Sequence, residues 1–204
     1  MTVAALFVET GGAYFGLPDV DPWDLTREAR LYAGPHPVVA HPPCSTWCQL
    51  AKVNEARYGH RVGDDGGCFK SALAAVRRYG GVLEHPAYTY AWRAHGLIVP
   101  RRGAWSKNLF SPLHRPEFVT EVSQSAYGHA ARKRTWLLWV GTFAGAEPPP
   151  LDWRDPEGTA WVGNDGSANA KRQLGKREAK ASPPAFRDVL LSLARSAQAR
   201  SEAA

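Results

Sequence analysis

Two short apolar runs end in chemically reactive residues, and that pairing limits the folds open to this chain. Pro37-Val38-Val39-Ala40 leads into His41-Pro42-Pro43-Cys44, and Gly80-Gly81-Val82-Leu83 leads into Glu84-His85-Pro86. Between them, Asp65 to Tyr79 sets Cys68, Phe69, Leu73, Val76 and Tyr79 at helical spacing, so the stretch reads as strand, loop, helix, strand. Units of this kind almost always close as right-handed crossovers between parallel strands. Neighbouring parallel strands lie about 5 Å apart, which would bring Cys44 and Glu84 out side by side at the carboxyl edge of the sheet, where open α/β folds bind ligands.

The remaining segments extend this pattern. Val3 to Val8 reads as the first strand, followed by the turn Thr10-Gly11-Gly12-Ala13, and Trp23 to Tyr32 as a short helix with Asp21 or Asp24 near its start. A short helix is expected over Tyr88 to His95, an irregular stretch from Pro100 to Glu117, and a buried strand at Thr135-Trp136-Leu137-Leu138-Trp139-Val140. Residues 142–182, rich in Pro, Gly, Asp and Lys, read as a long loop or small excursion. Ser182-Pro183-Pro184 then opens a helix with Phe186, Val189, Leu190, Leu193 and Ala197 on one face, and Ala199 to Ala204 should fray. The expectation is one α/β domain over residues 1–204, a mainly parallel sheet with flanking helices.

With 204 residues, 44% of them hydrophobic, the chain can bury one core. No apolar stretch reaches the roughly eighteen residues of a membrane span, and the start lacks the marks of a secretory signal, so a cytoplasmic protein is expected. Three cysteines do not make a disulfide framework and fit a reducing compartment. The net charge of +6, with clusters at Arg101-Arg102, Arg132-Lys133-Arg134 and Lys171 to Lys180, suits a polyanionic partner such as nucleic acid or, equally, a solvated basic face.

Taken in order, these elements resemble the DNA cytosine-5 methyltransferases. Pro43-Cys44 after a strand is similar to that family's most specific motif, and Glu84 to the first residue of its Glu-Asn-Val tripeptide, with His85 and Pro86 replacing the other two. Arg132-Lys133-Arg134 before a strand resembles its Arg-x-Arg element, Leu6 to Leu17 its opening signature, and Ser182 to Phe186 the entry to its closing helix. The resemblance implies a shortened Rossmann-like methyltransferase fold, S-adenosylmethionine as cofactor and DNA as partner. It also implies Cys44 as nucleophile toward carbon 6 of cytosine, a Glu84 with its pKa raised by burial that binds and protonates ring nitrogen 3, and Arg132 with Arg134 orienting the base. Phe7, Gly11, Gly12 and Asp21 fall at the cofactor positions, while Glu9 stands where the family carries glycine. The interval from Gly12 to Cys44 leaves little room for the two strands that ordinarily carry ribose- and adenine-binding groups.

Other readings of the same residues stand beside this one. Cys44 is also a small hydrophobe, Glu84 a salt-bridge partner, and Arg132 with Arg134 a surface pair. His41, Cys44, Cys48, His60 and Cys68 supply enough donors for one zinc ion, the chemistry of nucleobase deaminases. A third reading is a non-enzymatic nucleic-acid-binding relative that has lost its cofactor.

Overall fold

The computed structural model describes residues 1–109, 111–161 and 172–198. Its centre is a seven-stranded sheet in the order β2-β1-β3-β4-β7-β6-β5. The strands are β1 (Val3–Leu6), β2 (Val20–Trp23), β3 (Val38–Ala40), β4 (Gly81–Pro86), β5 (Ser106–Lys107), β6 (Glu117–Ser123) and β7 (Arg134–Val140). The run β2-β1-β3-β4 is parallel, whereas β4 meets β7, β7 meets β6 and β6 meets β5 antiparallel. The sheet is therefore mixed, and the strand-helix-strand unit expected between Cys44 and Glu84 forms its parallel centre.

Alternation along the strands separates two cores. Leu6, Val38, Leu83 and Leu138 pack with Phe69, Leu73 and Val76 of the crossover helix α2 (Cys68–Tyr79). Val39, Val82 and Leu137 pack with Phe186, Leu190 and Leu193 of the closing helix α5 (Pro184–Ser196). Asp65 accepts from the backbone N–H groups of Gly67 and Phe69 and so satisfies the start of α2. Ser182 plays no such part for α5, whose cap is Pro183 without a side-chain hydrogen bond.

Between β3 and β4 the path begins with α1 (Ala51–Tyr58), which the sequence did not announce because only Ala51 of it is buried. The helix expected over Trp23 to Tyr32 is instead the end of β2, a turn closed by Asp24, and a short 3-10 segment at Ala29–Leu31. Its Pro22 is tolerated because β2 lies at the sheet edge and no ladder hydrogen bond is lost. The helix expected over Tyr88 to His95 shortens to α3 (Tyr90–Ala94). Strand β6 was hidden by Glu117 and Glu121, charges atypical of a buried strand; Arg77 holds Glu117 at 2.9 and 3.1 Å through Nε and one terminal nitrogen.

The span 142–182, expected as a loop, carries structure of its own among its described residues. Strands β8 (Ala160–Trp161) and β9 (Arg172–Gln173) pair in parallel, and α4 (Lys176–Lys180) follows. Ala160, Leu174 and Ala131 bury a small separate cluster there. Residues 162–171 of this span, and the expected fraying of 199–204, lie outside the described residues. No described helix is long and apolar enough to cross a membrane.

Candidate functional site

Strand order reverses at β1: β2 lies on one side of it and β3 on the other. Crevices at such switch points, beyond the carboxyl ends of the strands, are the usual ligand sites of open α/β sheets. The loops after β1 and after β3 border this one, and Tyr14 of the first loop reaches His41 of the second, hydroxyl to Nε2, at 2.8 Å.

Register decides which side chains meet. Ala40 of β3 pairs with Leu83 of β4, so the next residues, His41 and Glu84, emerge as neighbours on the α5 side of the sheet. His41 Nδ1 lies 3.0 Å from Glu84 Oε2. Gln124 donates its amide N–H to Glu84 Oε1 at 3.3 Å and to Thr135 Oγ1 at 2.8 Å. Cys44 arrives three residues beyond His41, on a loop held from below. Its carbonyl accepts the N–H groups of Trp47 and Cys48, the Trp47 indole donates to Asp65, and Tyr90 N–H donates to the Trp47 carbonyl. The thiol is partly exposed, while Glu84 is 8% exposed. His85 faces the other way, donating or accepting at Thr89 Oγ1 (2.8 Å) among Phe69 and Trp92.

The electrostatics differ from the expected acid. Burial alone would raise the Glu84 pKa, but the hydrogen bond and charge of His41, with help from Lys133, outweigh it and hold the carboxyl down at about 2. Glu84 is therefore an anion at neutral pH, not the raised acid that the resemblance implied. Burial, followed by the charges of Glu84 and Cys48, pushes the Cys44 thiol up, and Lys133 and Lys180 partly oppose them. Burial brings the His85 imidazole down to about 4, which keeps it neutral.

Arg132 and Arg134 do not converge on Glu84. Arg132 pairs with Asp155 and approaches Glu157 at 3.8 Å. Arg134 donates to Glu121 at 2.7 Å, and its guanidinium lies 4.9 Å from the Tyr88 ring centroid. Alternation places Arg134 with Trp136 on the α2 side of β7, so the cation that acts on both Glu84 and Cys44 is the residue between the two arginines, Lys133. Sequence reading missed Lys133, Tyr14 and Gln124. Strand alternation before Thr135 carried a signal for Lys133; Tyr14 and Gln124 become partners of the site only through the loop path and the pairing of β6 with β7.

The loop after β1 leaves open space at Gly11, where the resemblance would set a cofactor. Glu9, whose side chain would crowd a ligand there, is instead 60% exposed and turned toward Arg177 at 3.5 Å. Gly11 adopts φ +65 with open space above it, and a Cβ on Gly12 would stand 2.8 Å from the Glu9 carbonyl. Phe7 packs beneath the loop against the α2-side core. Asp21, on the edge strand, binds the Trp23 indole N–H at 2.8 Å and pairs with Arg27, which lies 4.1 Å over the Trp23 ring. Asp24 is closed to a ligand by Thr10 at 2.7 Å and by Thr26. One strand, β2, occupies the interval where two would carry the ribose and adenine groups.

No group of three or more His, Cys, Asp or Glu converges as a metal site among the described residues, and the donors weighed for zinc do not gather. Comparison with known protein families and with curated proteins found no match to this chain.

Proposed function

We propose that this protein modifies a pyrimidine base of DNA through a Cys44 thiolate adduct, in the manner of the cytosine-5 methyltransferases that it resembles, on a shortened Rossmann-like fold. The observation that carries the proposal is the register of β3 against β4, which sets the Cys44 loop and the Glu84 carboxylate at one edge of the parallel strands. The thiolate adds at carbon 6 of the ring, and Glu84 accepts from the exocyclic amine and, once the addition has brought a proton to nitrogen 3, from the N–H formed there. Lys133 beside both groups favours the thiolate and offers a cation to the nucleotide phosphate. The loop at Gly11 and Gly12 would border S-adenosylmethionine, which when bound supplies an electrophilic methyl group, with Phe7 beneath it and Asp21 available only by giving up Arg27 or the Trp23 indole. A duplex substrate requires the target base to be flipped out of the stack first.

DNA carrying 5-azacytosine tests the reading, since its ring traps a thiolate without need of a methyl donor. The wild-type protein should form an adduct that survives denaturation, and Cys44→Ser should form none; absence of a wild-type adduct refutes the reading. The raised Cys44 thiol favours a second reading, a nucleic-acid-binding protein without chemistry. In that case Cys44→Ala leaves every biological effect unchanged.

A further inference from the structure

Glu84 as an anion has no proton to give, yet addition of sulfur to a cytosine ring builds negative charge on nitrogen 3 that must be neutralised. Its neighbours form an unbroken string: Tyr14 hydroxyl to His41 Nε2 at 2.8 Å, and His41 Nδ1 to Glu84 Oε2 at 3.0 Å. We propose that this string is a proton relay, in which His41 stores the proton that reaches the base through Glu84 and Tyr14 keeps the imidazole in place in both of its protonation states. The inference rests on the base-modification reading above and assigns to His41 and Tyr14 a positioning role within it.

Donor and acceptor rules make the assignment. An ionised carboxylate only accepts, so His41 Nδ1 carries hydrogen toward Glu84. The proton that leaves toward Glu84 is the one on Nδ1, so Nε2 donates in the charged ring and in the ring just discharged, and accepts only when a neutral ring carries its hydrogen on Nδ1. A hydroxyl is suited to that position because it can do either, and Tyr14, 4% exposed, is fixed there by the α5-side core. On the far side Gln124 donates through its amide nitrogen to Glu84 Oε1 at 3.3 Å. In the reaction the Cys44 lone pair forms the bond to carbon 6, and the π electrons of the 5,6 double bond shift toward nitrogen 3. Nitrogen 3 takes a proton by way of Glu84, and His41 is left neutral with Tyr14 still bonded to its Nε2. Charge closes, because a thiolate and an imidazolium become two neutral groups.

Other titratable and charged groups facing the string are Cys44 and Lys133 at the Glu84 end and Arg187 and Asp188 of α5 near Tyr14. His85 lies behind the strand and stays neutral.

The test is the pH profile of adduct formation on 5-azacytosine DNA, with DNA affinity measured in parallel. The wild type should give a bell, rising as Cys44 ionises and falling as the relay loses its proton. His41→Gln should slow the adduct by about 100-fold near neutral pH, leave DNA affinity within about threefold, and abolish the falling limb. Added imidazole should restore part of the rate in His41→Ala, and Tyr14→Phe, a milder change that keeps the ring, should cost about 5- to 10-fold and shift the falling limb. A wild-type adduct with the same rate and profile in His41→Gln and Tyr14→Phe overturns the relay alone. No adduct in the wild type overturns the reading beneath it as well.

Discussion

The charge on Glu84 gives the most direct physical test, because it links an acid-base property to the stability of the whole fold. In an unfolded chain this carboxyl should titrate near 4.5, and in the folded protein it is held at about 2. Its folded pKa is lowered, so its contribution to stability is complete above about pH 4.5 and is lost as pH falls toward 2. At 1.36 kcal/mol per pH unit the interval amounts to at most about 3 kcal/mol. Glu84→Gln removes the charge and nearly preserves the shape, so the variant should be less stable than wild type by up to about 3 kcal/mol at pH 7. That gap should shrink to less than half by about pH 3. Urea unfolding of both proteins at several pH values between 3 and 7 measures it. Parallel curves across that range, or a gap that widens on acidification, would show that His41 and Lys133 do not hold the carboxylate as argued.

Three further outcomes follow from the geometry. Cys44 should alkylate more slowly than a free thiol at pH 7, and Glu84→Gln should accelerate it several-fold by removing a neighbouring negative charge, read by peptide mass spectrometry; a fast wild-type reaction at pH 7 contradicts the raised thiol. Gly81 has φ +126, and a Cβ there would stand 2.0 Å from the Val38 carbonyl, so Gly81→Ala should cost more than about 3 kcal/mol in urea unfolding by forcing β4 away from β3. Arg134→Ala should lower stability by about 1 to 2 kcal/mol, because buried Glu121 loses its closest cation. It should nevertheless leave the 5-azacytosine adduct rate within about twofold, and a loss of 100-fold would return Arg134 to the substrate.

Local patterns made the centre of the fold readable. The apolar runs before His41 and Glu84, the helical spacing within Asp65 to Tyr79 and the apolar face after Pro184 each depend on neighbours a few residues apart, and all three appear as read. Strand β6 was illegible for the opposite reason: Glu117 and Glu121 look solvent-facing until Arg77 and Arg134 arrive from elsewhere to pair with them. The arginine pair of the resemblance was legible as a motif but not as a site, because successive strand residues point to opposite faces, and the face toward Glu84 belongs to Lys133.

The sequence by itself determined that a thiol and a carboxyl follow two apolar strands with an amphipathic helix packed between them, since composition and periodicity are properties of the chain alone. Only the tertiary structure decided what those groups are chemically. The pairing of Ala40 with Leu83 put His41, rather than Cys44 three residues farther along the loop, against Glu84, and the loop after β1 folded Tyr14 onto the same imidazole. Ionisation depends on charges and hydrogen bonds within a few ångströms, and those neighbours come from segments distant in the chain.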